Sequence, residues 1–154
     1  MEIIIADDKL DAKELFELYN NWAEESVSPK TKKITYKELL SMLKKATTFI
    51  AKEGRKIVGF LMCRMKKSKE DTIMYNLKKG EEYANIDSMY VKPEFRHKGV
   101  GRKLIQACRL ELKKQGKYKI IVLADSASPR ELMSFYEKNG FKTLFISMES
   151  PKEL

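Results

Sequence analysis

The stretch from Ile86 to Leu104 constrains the fold more than any other. An apolar, β-prone run, Ile86 to Val91, ends near Pro93, which has no N–H to give to a sheet ladder. A basic turn follows with glycines at 99 and 101, and then Leu104, Ile105, Cys108 and Leu112 recur at helical spacing. Strand, glycine turn and helix N-terminus in that order make an anion site, because unpaired N–H groups and the positive end of the helix dipole point the same way. Glycines let a ligand approach the backbone without Cβ atoms in the way. Arg96, Lys98, Arg102 and Lys103 add charge at the same spot.

Two familiar phosphate motifs do not fit. A dinucleotide fingerprint needs a third glycine, whereas Gly99-x-Gly101 runs on into Arg102, Lys103 and Leu104. A P-loop needs Gly-Lys-Ser/Thr, and that triplet does not occur. What remains is Arg96-x-x-Gly99-x-Gly101, entered through Val91-x-Pro93-Glu94-Phe95.

The charge is unevenly placed. Ten Lys and Arg against two Glu between Lys92 and Lys119 carry +8 of the chain's +9, so the remainder is near neutral. Such a field suits a polyanionic ligand or a nucleic acid, and part of it simply solvates an outer helix face. Against nucleic acid, the basic excess is tied to a glycine turn and lacks interleaved aromatics. The length of 154 residues fits one domain spanning 1–154. No apolar run is long enough for a bilayer, and Met1-Glu2-Ile3-Ile4-Ile5 lacks a signal-peptide layout. Cys63 and Cys108 sit inside apolar patterns and read as reduced core residues of a cytosolic protein. One histidine and two distant cysteines predict no metal site.

In chain order, Glu2 to Ala6 reads as a strand, Asp7 and Asp8 offer an N-cap, and Leu15, Leu18, Tyr19 and Trp22 form a helical stripe. Residues 23–34 read as a connection, and Thr35-x-x-Glu38 as a capping box opening a second helix. Thr47 to Ala51 and Ile57 to Met65 form a hairpin around Glu53-Gly54-Arg55. Residues 66–80 are either a long loop or a strand extension. The central strand spans about Tyr83 to Val91, with alternation placing Asn85, Asp87 and Met89 on one face and Ile86, Ser88 and Tyr90 on the other. After the helix that Gly116 ends, Tyr118 to Ala124 is a buried-type strand. Ser128-Pro129-Arg130-Glu131 is a capping box with proline at the first helical position, Gly140 a C-cap, and Leu144 to Met148 a last strand. The order β-αα-β-β-β-α-β-α-β gives an α+β fold.

Followed by Phe135-Tyr136-Glu137-Lys138-Asn139-Gly140-Phe141, the Arg96 to Gly101 motif resembles the acetyl-CoA motif of the GNAT superfamily of N-acetyltransferases. The resemblance covers nearly the whole chain. It implies the GNAT acyltransferase fold, a mixed central sheet flanked by helices, and direct acetyl transfer from acetyl-CoA to a primary amine within a ternary complex. The amides of His97, Lys98, Gly99, Val100, Gly101 and Arg102 would then cradle the pyrophosphate. The main chain of Met89, Tyr90 and Val91 would pair with the pantetheine arm as another strand does. Arg96, Lys98, Arg102 and Lys103 are candidates for phosphate contact. Ser128 stands where relatives carry a pantetheine-binding asparagine. Tyr136 occupies the position of the tyrosine that protonates the departing thiolate, with core packing as its alternative role. The helix pair after the first strand would lie over the acceptor site.

The amine must be neutral to attack, and an alkyl amine with a pKa near 10.4 needs a base or desolvation. Asp87, inside a β-run that disfavours aspartate, is the candidate base. Glu81 and Glu82, acting through a water, are the alternative. Neither cysteine has a histidine at a readable spacing, so no covalent relay is expected. The acceptor is a small-molecule or protein amine, and a homodimer is compatible with this reading. The alternative class is a non-catalytic domain that binds acyl-CoA or nucleic acid.

Overall fold

The structure, a computed structural model, describes residues 1–27, 31–124 and 128–147. Five strands form one mixed sheet in sequence order: β1 (Glu2–Ile5), β2 (Thr47–Glu53), β3 (Lys56–Lys67), β4 (Glu82–Val91) and β5 (Ile120–Val122). The first four are antiparallel neighbours, and β5 runs parallel to β4. Helices α1 (Ala12–Glu25) and α2 (Tyr36–Lys45) cover one face, and α3 (Val100–Lys114) and α4 (Pro129–Lys138) the other.

Strand β3 shows why the sheet sits between two layers. Seven consecutive residues, Ile57 to Cys63, are buried, as expected of a strand covered on both sides. Val58, Leu61 and Cys63 pack with Val100, Leu104, Ile105 and Cys108 of α3. Ile57, Phe60 and Met62 pack with Leu15, Leu18 and Tyr19 of α1 and Leu39 of α2.

The capping box forms as expected: the Glu38 amide donates to Thr35 Oγ1, and Thr35 N–H donates back to Glu38 Oε2 at 2.7 Å. The start of α1 differs. Asp11 is its N-cap residue and makes no side-chain capping bond, while Asp7 Oδ1 accepts from the amides of Lys9 and Leu10 in the preceding turn. Helix α1 also runs on to Glu25, three residues into the expected connection. Ser128 likewise makes no side-chain capping bond, so Pro129 at the first helical position marks the start of α4 without a capping box. At the far end Gly140 adopts φ +78°, and the Phe141 amide returns to the Tyr136 carbonyl.

Both options for residues 66–80 are realised in part. Strand β3 extends to Lys67, opposite Glu82, and a loop follows with an isolated bridge between Thr72 and Leu77. Strand β5 is three residues long, shorter than the expected Tyr118 to Ala124. The expected last strand does not form over 144–147, where Leu144, Phe145 and Ile146 are exposed; Met148 lies outside the described residues. Among the described residues no helix is long and apolar enough to cross a membrane.

The simple alternation along β4 is broken. Ser88 pairs with Met62, but Ile86 pairs with Cys63, leaving Asp87 as the extra residue of a β-bulge. The phase therefore slips: Ile86 and Met89 both face α3, while Tyr90 faces α1. Asp87 and Ser88 share the α1 face with Arg64 and Tyr90, so Met89 stands on the face opposite Asp87.

Candidate active site

A split in the sheet builds the site. Strands β4 and β5 pair only from Ala84/Ile120 to Ile86/Val122. Beyond the bulge, β4 continues to Val91 without β5 beside it. The Lys92 amide donates to the Val58 carbonyl, which fixes the ladder phase. Phe60/Tyr90 and Met62/Ser88 are then the pairs that exchange hydrogen bonds, and the N–H and C=O groups of Met89 and Val91 point away from β3. They face a cleft of about 400 Å³. Of the three strand residues expected to offer main-chain groups, Met89 and Val91 do so, whereas the main chain of Tyr90 is spent on β3.

Because the sheet is open there, the cleft reaches both faces. Its α3-side wall is Val122, Leu123, Ala124, Ser128, Leu132 and Tyr136; its α1-side wall is Trp22, Glu25, Ser26, Val27, Asp87, Ser88 and Tyr90. Tyr136 is buried, with its ring edge-on to Phe135 and Phe141. Burial pushes its phenol up to about 12, so it carries its proton throughout the neutral range.

The basic turn lies at the cleft's rim. His97 and Gly99 are both left-handed, at φ 60° and 78°, and Gly99 is the N-cap residue of α3. The first helical bond is from the Lys103 amide to the Gly99 carbonyl, so the amides of Val100, Gly101 and Arg102 have no partner within the helix. The Val100 side chain is in the core, leaving its amide as its only contribution. The side chains of His97, Lys98, Arg102 and Lys103 are exposed and none lines the cleft. Lys98 Nζ rests over the Phe95 ring at 5.4 Å. Arg96 does line the cleft, with its guanidinium engaged: Nε donates to the Val91 carbonyl at 2.9 Å and Nη2 to Glu25 Oε2 at 2.5 Å. The two glycines serve different ends. A Cβ on Gly99 would meet nothing within 4 Å, so that position needs glycine for its backbone angle. A Cβ on Gly101 would stand 3.0 Å from Phe135 Cζ, so this glycine lets α3 and α4 approach.

The candidate bases separate clearly. Asp87 lines the cleft; it accepts from Arg64 and from Asn85 Nδ2 at 2.7 Å, with Lys66 at 3.9 Å. Glu82 pairs with Lys117, and Glu81 with Lys119 at 2.9 Å and the Lys78 amide. Neither glutamate lines the cleft.

The sequence matches the family model described as "Acetyltransferase (GNAT) domain" over residues 44–143. The chain belongs to the GNAT acetyltransferase family. Solved structures agree on the fold. A ribosomal-protein-alanine N-acetyltransferase from Brucella melitensis biovar Abortus 2308 superposes with a TM-score of 0.70 at 18% identity, covering 98% of this chain and 99% of that one. An aminoglycoside antibiotic 6'-N-acetyltransferase from Acinetobacter baumannii gives 0.73 at 13% identity, covering 99% and 98%. The BH1408 protein from Bacillus halodurans, as a tetramutant, gives 0.77 at 18%, covering 98% and 99%. No curated protein sequence matches the chain.

The chain carries three cleft-lining residues, and one beside them, that sequence reasoning did not single out. Trp22 and Glu25 end α1, ahead of the family match. Arg64 holds Asp87 from the next strand. Ser88 is buried, lines the cleft, and its hydroxyl makes no hydrogen bond with any described residue. Only Ser88 left a local signal, as a small polar residue within an apolar strand. Among the described residues, no cluster of three or more His, Cys, Asp or Glu could hold a metal.

Proposed function

We propose that this GNAT domain transfers an acetyl group from acetyl-CoA to a primary amine, directly and without an acyl-enzyme intermediate, as one catalytic unit. The observation that carries the reading is the split between β4 and β5. It presents strand groups of Met89 and Val91 that have no partner strand, the Val91 carbonyl being held by Arg96, to a cleft that also holds the Tyr136 phenol. An extended pantetheine arm fits such an edge as an added strand fits a sheet. Pyrophosphate oxygens suit the left-handed turn and free amides at the start of α3.

In this mechanism the chain orients and stabilises. A strand N–H at the cleft meets the charge that develops on the thioester oxygen. The amine approaches from the α1 side as a free base and forms the C–N bond as the C–S bond breaks, and the proton its nitrogen then sheds passes to the departing thiolate or to water. Tyr136 offers its proton from the α3 side to the departing thiolate. A thiolate with an ordinary pKa of about 8.5 is a weaker base than the Tyr136 phenolate, so this donation is a strong hydrogen bond more than a completed transfer. Asp87 lines the cleft, held in place by Arg64 and Asn85, and a lone pair left on the cleft side can align an ammonium before its proton passes to water. The acceptor class is a cationic amine on a small molecule or a protein; the two relatives above are named for a ribosomal-protein alanine and an aminoglycoside antibiotic.

The test is calorimetric titration with coenzyme A, then thiol release from acetyl-CoA over a panel of aminoglycosides, polyamines and N-terminal peptides. Coenzyme A binding with amine-dependent thiol release is the expected result. Absence of coenzyme A binding by the folded protein would overturn the proposal. Binding without turnover on any amine would leave a non-catalytic acyl-CoA-binding domain.

A further inference from the structure

Arg96 occupies an unexpected place for a residue that opens a phosphate turn. Its Nε donates to the Val91 carbonyl, one of the edge groups aimed into the cleft. Its Nη2 is held by Glu25, the last residue of α1, and its guanidinium lies 5.4 Å from the centre of the Tyr90 ring. Glu25 is pinned in turn, because its other oxygen accepts from the Tyr90 hydroxyl at 2.5 Å. One side chain thus ties the end of the acceptor-side helix to the strand edge of the cofactor side, across 71 residues of sequence.

A chain laid along β4 as an added strand would offer an N–H to the carbonyl that Arg96 now holds. That N–H competes with Arg96 for the carbonyl oxygen, and the competition favours Arg96 swinging away. Its planar fork of donors suits phosphate oxygens, and it starts the turn where they would lie. Glu25 loses a cation in that exchange and keeps only the Tyr90 hydroxyl. Its freed oxygen lies in the same wall as Asp87, Trp22 and Ser88.

We infer that Glu25, Arg96 and Tyr90 form a latch that acetyl-CoA opens, and that the freed Glu25 carboxylate then binds the ammonium of the acceptor. The inference rests on the proposed acetyl transfer and deepens it. It makes Glu25 a specificity-determining residue for cationic acceptors. An acceptor arriving first would find the carboxylate already paired with Arg96.

Glu25→Gln keeps the shape and removes the charge, and the two ligands should respond in opposite directions. Coenzyme A, titrated calorimetrically into the full chain, should bind about two- to fivefold more tightly, because a partly exposed ion pair no longer holds Arg96 on the carbonyl. The KM of the amine that the wild type turns over fastest should rise about tenfold, with kcat nearly unchanged, as one charge-assisted hydrogen bond is lost. Glu25→Asp, which keeps the charge but shortens the reach, should also tighten coenzyme A binding while raising KM less. A general loosening of α1 would weaken both ligands and lower the melting temperature, and that result overturns the latch. So does unchanged coenzyme A affinity in both variants. A wild-type protein that binds no coenzyme A would instead refute the acetyltransferase reading itself.

Discussion

The two walls of the cleft are built in different ways. The side proposed for the cofactor draws mainly on one stretch, Met89 to Arg102, with Tyr136 of α4 behind it, and offers mostly main-chain groups: two strand residues with outward N–H and C=O, a left-handed turn at the rim, and amides without a helical partner at a helix start. The side proposed for the acceptor draws on Trp22, Glu25, Asp87 and Ser88, with Arg64 holding Asp87, side chains carried by three separate elements. A backbone site is specified by glycines, a proline and a strand-to-helix order, which any member of the family can keep while its other side chains drift. A side-chain site is specified by who stands opposite whom. The family match, which begins at residue 44, includes the whole first wall and leaves α1 outside.

The largest expected effect tests whether the cofactor wall also supplies chemistry. Tyr136→Phe keeps the ring packed against Phe135 and Phe141 and removes only the donor. Turnover should fall roughly 10²-fold, with coenzyme A affinity and neutral-pH stability nearly unchanged. The same variant has a pH signature. With the phenol near 12 in the folded chain and about 10 when unfolded, its neutral form favours the native state. That contribution is intact below pH 10 and is lost as pH rises from about 10 to about 12, by up to about 3 kcal/mol. Phe cannot titrate, so Tyr136→Phe should lose less stability over that window in alkaline melts. Near-normal turnover with a rate-limiting chemical step would return Tyr136 to packing alone.

A smaller effect separates the two glycines of the turn. Gly101→Val should cost roughly 1–3 kcal/mol, because the new side chain enters the space of the Phe135 ring 3.0 Å away. Pairing it with Phe135→Leu should restore much of the melting temperature. If coenzyme A affinity returns with stability, Gly101 serves helix packing; if affinity stays low in the refolded double variant, a side chain there obstructs the phosphate turn as well. Gly99→Ala has space for its Cβ yet is forced to φ +78°, so no change at Phe135 should rescue it.

These contrasts explain what was legible in the sequence. The element order as far as α4 and the turn at Gly99 and Gly101 could be read because each rests on local chemistry: a missing N–H at Pro93, a capping box at Thr35, apolar periodicity in α3, whereas Tyr136 was singled out by the family resemblance alone. The bulge could not. It is a register slip between β3 and β4, and one extra residue on β4 leaves no mark in β4 alone, so uniform alternation put Met89 on the wrong side of Asp87. The strand expected at 144–148 does not form over 144–147 for the opposite reason. Its residues have β-propensity, but propensity in a strand expresses packing against a neighbour, and Leu144, Phe145 and Ile146 are exposed. Glu25 was unreadable because its meaning lies in Arg96 and Tyr90, far along the chain.

The smallest effect sharpens the comparison within one cross-strand row. Thr48 and Ser88 flank Met62 from either side, as its partners on β2 and β4. Both hydroxyls are buried and neither makes a hydrogen bond with a described residue. A buried hydroxyl without a partner costs stability, so Thr48→Val and Ser88→Ala should each raise stability by about 1 kcal/mol, or roughly 2–4 °C in melting temperature. They should part company in the assay. Ser88 lines the cleft between Asp87 and Met89, on the wall where the amine would arrive, whereas Thr48 lies away from it. A folded protein tolerates an unsatisfied group most readily where a ligand will satisfy it. Ser88→Ala should therefore raise the acceptor KM while Thr48→Val leaves it unchanged. Equal stabilisation with equal, unaltered kinetics would make Ser88 one more strand residue and confine the acceptor wall to its charged groups.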